Sequence, residues 1–170
     1  MNAEFNTALF HKKGVLAAAR DDNPEKASSA MQFYIVQGTI FNDSLLDLAQ
    51  IRINKNFAHT YFKTDTSKKP LLDSVQHALD LDDMKQYSVL MDRIYSMAVA
   101  EDDFTLYVIP KKQRDIYKSV GGTPHLDQNY TAFGELVKGI DVLDAIAKVE
   151  TDALDRPKND VRILSVKLLE

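Results

Sequence analysis

Residues 120–135 of the chain read VGGTPHLDQNYTAFGE, and this stretch decides how the rest of the sequence is interpreted. Its two glycines and its proline predict a loop, because these residues continue neither a helix nor a strand. The triplet at 127–129, Asp-Gln-Asn, adds turn-forming residues. From Tyr130 to Leu136 the side chains follow a period of two, which predicts a strand. A loop of this kind beside a strand is a common place for a binding groove.

The length and composition set broad limits on function. A chain of 170 residues fits one domain, or one domain with a large insertion. The net charge of −4 argues against a nucleic-acid partner or an anionic membrane surface. Without cysteine the chain has neither disulfides nor thiolate metal ligands, and it has no apolar run near the roughly 20 residues of a membrane span. We expect a soluble protein, cytoplasmic or periplasmic, with the compartment left open.

Four segments carry strand patterns. Met31–Gln37 is the strongest, and its alternation places Gln32, Tyr34 and Val36 on one face, as in the wall of a groove. Val15–Ala19 is a short apolar run of small residues that suits a closely packed strand. The predicted strands are Val15–Ala19, Met31–Gln37, Tyr130–Leu136 and Val161–Leu169.

The middle of the chain, residues 42–118, is predicted to be mostly helical. It begins with three good N-cap types, Asn42, Asp43 and Ser44. Pro70 and Pro110 suit first turns of later helices, and residues 80–83 suggest a break with a new N-cap. A later short helix around 141–147 has Asp141 as its expected N-cap. One apolar stripe in the helical part follows the helical period and could be core or a partner groove, with core favoured: Met84, Tyr87, Met91 and Ile94.

Motifs for covalent, metal or nucleotide chemistry are missing from the sequence. The four histidines, His11, His59, His77 and His125, show no paired ligand spacing, so we expect neither a metal site nor a cofactor. Phosphate-binding loops and nucleophile motifs are also absent. Residue types alone therefore indicate an α+β domain with a polar and aromatic strand face beside a glycine-rich loop.

Three segments, GVLAAAR at 14–20, MQFYIV at 31–36 and TAFGELVKGIDVL at 131–143, together resemble a cyclophilin-type peptidyl-prolyl cis–trans isomerase. The ending at 151–160 is similar to bacterial members of that family. The resemblance implies an antiparallel β-barrel, of which residues 1–41 and 119–170 would form an incomplete half of about four strands. Residues 42–118 would be a helical insertion like those of some bacterial relatives.

The resemblance also implies a site. Ala19 and Arg20 would border the substrate backbone, and Gln32 would hydrogen-bond it. Tyr34 would line the proline pocket and Leu126 would form its floor, with His125 and Tyr130 beside them. The family's earlier strands would precede Ala3. The resulting peptide-binding set is Ala19, Arg20, Gln32, Tyr34, His125, Leu126 and Tyr130.

The family arginine that donates to the prolyl nitrogen has no counterpart among these residues. The motif at 10–12, Phe-His-Lys, superficially resembles the family's Phe-His-Arg but precedes the wrong strand. Rotation about an X–Pro bond faces a barrier of roughly 20 kcal/mol, and losing one preorganised donor costs about 3 kcal/mol. We therefore expect a truncated isomerase that is weak or inactive.

Partners follow from the same interpretation. We expect proline-containing peptides or unfolded protein clients, and a possible homodimer through open strand edges, because unpaired edges recruit other chains. The alternative is a non-enzymatic, chaperone-like binding module that uses the helical insertion, with the stripe of Met84 and its neighbours as the working surface.

Overall fold

The computed structural model describes residues 1–21, 23 and 25–168. The described part contains three short strands and five α-helices, joined by loops and by 3₁₀ turns at Phe62–Thr64, Thr66–Lys68 and Pro124–Leu126. In chain order the elements are β1 (Val15–Ala18), β2 (Phe33–Ile35), α1 (Asp43–Tyr61), α2 (Lys69–Asp80), α3 (Met84–Val99), α4 (Lys111–Ser119), β3 (Ala132–Glu135) and α5 (Ile140–Ile146).

The three strands form one antiparallel sheet with β1 in the centre. Leu16 of β1 pairs with Ile35 of β2 on one side and with Gly134 of β3 on the other. The register against β3 shifts between Leu16 and Ala17. Val15, Val36 and Ala132 are buried together on the inner face, with Tyr34 packed against them. The α+β class and three of the four predicted strands are therefore confirmed, each shorter than predicted.

The half-barrel of about four strands is not confirmed, since the described residues form this open sheet of three strands. Residues 161–168 form no strand, and Ile163, Leu164 and Val166 are exposed. Leu169, the last residue of the predicted strand, lies outside the described residues. The alternating pattern is present, but a strand also needs a neighbour for its backbone N–H and C=O groups, and no described segment pairs with this one.

Side-chain caps mark the starts of α1 and α3, within the short segments where the sequence predicts them. The Asn42 side chain accepts a hydrogen bond from the Leu45 N–H at 2.9 Å, and the Asp83 side chain accepts one from the Gln86 N–H at 2.9 Å. These bonds satisfy N–H groups that the first turns of α1 and α3 leave without an intrahelical partner. Pro70 lies in the first turn of α2, as predicted.

The helices α1, α2 and α3 share a hydrophobic core. Met91 and Ile94 of α3 lie within it, whereas Met84 is exposed and Tyr87 is half-buried. The stripe therefore contributes two buried residues to the core, and the half-buried Tyr87 packs against it. The buried members of this core are Ala58, Phe62, Val75, Ala78, Leu90, Met91, Ile94 and Ala98.

The expected cap of the last helix is wrong by two residues. Gly139 is the N-cap of α5, with φ at 89°, and Asp141 lies in the first turn. A glycine takes this left-handed backbone without steric cost, so the chain turns there and the helix starts before the aspartate. Within the described residues, no helix combines the length and the apolar character that crossing a membrane requires.

The loop after α4 joins the helices to the sheet. Gly122 forms an isolated bridge with Lys12 on one side and exchanges two backbone hydrogen bonds with Thr39 on the other. A Cβ atom on Gly122 would lie 2.6 Å from the Tyr117 ring and 2.9 Å from the Lys12 Cα, so this approach needs glycine. Beyond it, the 3₁₀ turn Pro124–Leu126 packs against α1.

Candidate functional site

A buried carboxylate lies at the centre of the loop that follows α4. One Asp127 oxygen accepts a hydrogen bond from the His11 backbone N–H at 2.8 Å and lies 2.9 Å from His11 Nδ1. The other Asp127 oxygen accepts a hydrogen bond from the Tyr117 hydroxyl at 2.7 Å. None of the three residues is more than 1% exposed. We call Asp127, His11 and Tyr117 the Asp127 cluster.

Tyr117 is the hydrogen-bond donor in this cluster. Its burial raises its pKa, and the neighbouring Asp127 charge raises it further, so the phenol stays protonated. His11 Nε2 has no hydrogen-bond partner among the described residues.

Three of the predicted site residues form a continuous contact with this cluster. The His11 ring stacks on Tyr34 with ring centroids 6.2 Å apart, and Tyr34 meets Tyr130 edge to face at 6.0 Å. The Arg20 guanidinium lies over the Tyr130 ring, 4.7 Å from its centroid. Edge-to-face rings and a cation over a ring face are both favourable arrangements. The structure therefore brings Arg20, Tyr34 and Tyr130 together.

The direction of Arg20 is fixed by its hydrogen bonds. Nε donates to the Asn129 carbonyl at 3.1 Å, and a terminal nitrogen donates to the Asn129 side-chain oxygen at 3.2 Å. The other terminal nitrogen donates to the Asp21 carbonyl at 2.7 Å. The planar fork of arginine suits this two-point grip on one residue. Arg20 thus holds the turn before Tyr130 in place.

Ala19 and Gln32 lie opposite each other where β1 and β2 end. The Ala19 N–H donates to the Gln32 carbonyl at 3.0 Å, and the Gln32 N–H donates to the Ser29 hydroxyl at 3.1 Å. The Gln32 side chain itself is exposed. Gln32 is therefore open to solvent two positions before Tyr34.

His125 and Leu126 belong to the 3₁₀ turn against α1, and both are half-buried. Burial lowers the pKa of His125, and the positive charge of Arg52 on α1 lowers it further. Burial also raises the pKa of Tyr34 well above its usual range. At neutral pH the wall formed by these residues therefore presents a neutral imidazole and a neutral phenol.

The seven predicted residues lie outside two clefts that the described part of the chain forms. A cleft of about 460 Å³ lies between α2 and α3, and one of about 300 Å³ lies between residues 8–12 and β3; neither includes any of the seven. Within the described part of the chain, no three histidine or acidic side chains are grouped as metal ligands would be. The candidate site is an open wall of aromatic and polar side chains.

The Asp127 cluster was missed from the sequence. Asp127 was interpreted as a turn residue and His11 as part of a coincidental motif, because the two positions are 116 residues apart. Periodicity carries no information about contacts of such separation. The one local signal was the glycine pair at 121–122, because adjacent glycines allow the backbone to approach another segment closely.

Residues 52–168 match the family model described as cyclophilin type peptidyl-prolyl cis-trans isomerase/CLD. The match covers more than half of the chain. The chain belongs to the cyclophilin-type peptidyl-prolyl cis–trans isomerase family. The matched region includes His125, Leu126 and Tyr130 and runs through much of the helical part. It begins after Ala19, Arg20, Gln32 and Tyr34.

Individual relatives match shorter stretches. A "Putative bifunctional phosphatase/peptidyl-prolyl cis-trans isomerase" of Streptococcus pyogenes is 50% identical over 56 residues, 32% of this chain and 12% of that protein. A "Putative peptidyl-prolyl cis-trans isomerase" of Staphylococcus saprophyticus is 43% identical over 54 residues, 32% of this chain and 27% of that protein. "Peptidyl-prolyl cis-trans isomerase CYP71" of Arabidopsis thaliana is 57% identical over 44 residues, 26% of this chain and 7% of that protein. The chain thus matches well under a third of the length of each of these relatives.

Proposed function

We propose that the protein acts on X–Pro peptide bonds as a peptidyl-prolyl cis–trans isomerase. Family membership supports this activity, and the observation that carries the site is the contact of Arg20, Tyr34 and Tyr130 beside the exposed Gln32. Rotation about the bond needs no covalent step. It needs an apolar surface for the proline ring and polar groups that hold the flanking backbone.

The residues of the wall divide between these two tasks. Tyr34 and Leu126 offer apolar surface to the proline ring, and Tyr130 extends it. Gln32 offers hydrogen-bonding groups to the substrate backbone, Ala19 and Arg20 border that backbone, and the neutral His125 borders the pocket. Proline-containing segments of unfolded proteins are the substrate class that this combination fits, because their backbone is extended and accessible.

We propose slow turnover for the 170-residue polypeptide by itself. The printed sequence holds no counterpart of the family arginine, and Arg20 does not replace it, because its guanidinium contacts Asn129 and Tyr130. The lack of one preorganised donor lowers the rate by about two orders of magnitude. We propose that the chain divides into an isomerase part, residues 1–41 and 119–170, and a helical insertion, residues 42–118.

A proline-containing tetrapeptide tests the activity and the site together. We expect a small acceleration of its isomerisation, and NMR signal changes at Arg20, Tyr34 and Tyr130 on titration. The same peptide with alanine in place of proline is the matched control. Turnover as fast as that of an intact cyclophilin would contradict the proposed impairment. Signal changes confined to α2 and α3 would contradict the site.

The alternative, a chaperone-like module working through the helical part, has less support. Of its proposed surface, Met91 and Ile94 belong to the core of the helices. Only Met84 and part of Tyr87 face solvent. Substitution of Met84 by glutamate separates the two functions, because it changes client binding only if the helical surface is used.

Self-association is our proposal for the sheet edges. No described strand pairs with the outer edge of β2 or of β3, and the exposed Phe33 and Phe133 rings lie across the outer face, with centroids 6.4 Å apart. Open edges beside exposed aromatic side chains favour pairing with a second copy. Light scattering on a gel-filtration peak measures this directly, and a stable monomer would exclude it.

A further inference from the structure

The Asp127 cluster has no role in the proposed chemistry, yet it contacts both sides of the candidate site. Asp127 directly follows Leu126 and stands three residues before Tyr130. Its partner His11 stacks on Tyr34 of β2. A shift of the Asp127 carboxylate would therefore move the loop that carries three predicted site residues relative to the strand that carries a fourth.

The third member of the cluster belongs to the helical part. Tyr117 lies near the end of α4 and is fully buried with Leu46 of α1 and Ile109. The edge of the Phe10 ring also packs on it, with centroids 5.4 Å apart. The Tyr117 ring is therefore packed among Leu46, Ile109 and Phe10, while its hydroxyl reaches Asp127.

We propose that Asp127 is a positioning residue for the peptide site and that Tyr117 determines where it sits. The inference rests on the proposed function, since it concerns the same site. A buried carboxylate is stable only when its oxygens are matched by donors, and removal of one donor leaves an acceptor unpaired. The loop then has to shift so that the freed oxygen reaches water or another donor.

A neighbouring tyrosine supplies a matched control. Tyr107 packs against the same cluster of Leu46, Ile109 and Tyr117. Its buried hydroxyl has no hydrogen-bond partner within residues 1–21, 23 and 25–168. Tyr117→Phe and Tyr107→Phe therefore remove the same atom from the same core, but only the first removes a bond to Asp127.

The experiment measures affinity for the proline-containing tetrapeptide by NMR, at a temperature where each variant is fully folded. We expect Tyr117→Phe to weaken binding about tenfold and Tyr107→Phe to leave it within about twofold. The backbone signals of residues 121–135 should move in Tyr117→Phe without peptide. A merely structural role would lower the melting temperature while leaving the affinity of the folded protein unchanged.

The outcomes separate this inference from the function on which it rests. If the wild type binds the peptide and Tyr117→Phe binds it equally well, the positioning role is wrong and the proposed function stands. If the wild type does not bind, the proposed function is wrong, and unmoved signals at 121–135 would then overturn the positioning role as well. Asp127→Asn is a second variant that should move the same signals, because one of its two accepting oxygens becomes an NH2 group that only donates hydrogen bonds.

Discussion

The helical part and the sheet part of this molecule are stabilised in different ways. Between residues 43 and 99 the helices bury a shared apolar core with Ile94 at its centre, fully inaccessible to solvent. Among the described residues, the apolar cluster of the sheet is smaller and consists of the buried Val15, Val36 and Ala132. Its connection to the surrounding loops depends on the buried Asp127 cluster and on close backbone approaches at glycine.

The difference has a physical consequence. Apolar burial is non-directional and changes gradually with area, so a helical core tolerates small shifts. Hydrogen bonds to a buried carboxylate and backbone contacts at glycine depend on position to within a few tenths of an ångström. We therefore expect the site half of the molecule to be sensitive to substitutions that change few atoms, and the helical half to be sensitive mainly to lost volume.

The largest effect should come from Gly122→Ala. The added Cβ would overlap the His11 carbonyl oxygen and the Tyr117 ring, and the backbone has φ at 155°, which side chains rarely adopt. Strain and overpacking each cost about 1–3 kcal/mol, so we expect a loss of about 4 kcal/mol in unfolding free energy. Urea denaturation measures it.

Gly134→Ala is the control for that prediction. Gly134 lies in β3, and a Cβ there would meet the Leu16 side chain at 3.6 Å, an ordinary contact. The change should stay within about 1 kcal/mol. Equal losses for the two variants would show that the approach at Gly122 has no special importance.

Ile94→Ala should give the next largest effect. The side chain is fully buried among the helices, so its loss removes apolar contacts and leaves a cavity, at about 3 kcal/mol. Val89→Ala on the same helix is the control, because Val89 is 56% exposed and its truncation should cost little. Thermal unfolding measures the loss. A loss of less than about 1 kcal/mol in unfolding free energy for Ile94→Ala would contradict the importance of apolar burial for the helical part.

The helical part could largely be predicted from local sequence. A cap was predicted within 42–44, a new cap within 80–83 and Pro70 in a first turn, and each signal lies within four residues of the structure it controls. The strand positions were also found locally, β2 and β3 from alternation and β1 from a short apolar run. These features depend on neighbours in the chain, so a single sequence carries them.

The arrangement of the site could be predicted only in part. The pairing of Tyr34 with Tyr130 joins positions far apart in the chain, and their grouping was inferred from a family resemblance. The contact of His11 with Asp127 had no local signal. The predicted strand at 161–169 is an error of another kind. Its alternating pattern is a local signal, but a strand also needs a partner strand, and no local pattern reveals whether one is present.

Arg20→Lys tests the site half with a smaller change. Lysine keeps the charge but cannot hold both oxygens of Asn129, so we expect a loss of about 1 kcal/mol in stability and weaker peptide binding. Arg93→Lys, on the exposed side of α3, is the matched control and should be neutral. Equal behaviour of the two lysine variants would show that the Arg20 contacts contribute nothing.

The smallest expected effect concerns pH and compares one histidine from each half. Burial lowers the folded-state pKa of His125 beside the site, and burial also lowers that of His59 in α1. The unfolded chain then takes up protons first as the pH falls below the ordinary value of 6.5. Each histidine therefore contributes full stability above that pH and loses it as the pH falls towards its folded pKa.

His125→Gln and His59→Gln should each flatten the decline in unfolding free energy between neutral and mildly acidic pH. Urea denaturation across that range gives the slope of unfolding free energy against pH. Subtracting the wild-type slope from that of each variant cancels the contributions of other titrating groups. Peptide binding distinguishes the two sites, because protonation of His125 puts a charge beside the proposed proline pocket while protonation of His59 does not. Acid-weakened binding should persist in His59→Gln and disappear in His125→Gln, and the reverse result would remove His125 from the pocket.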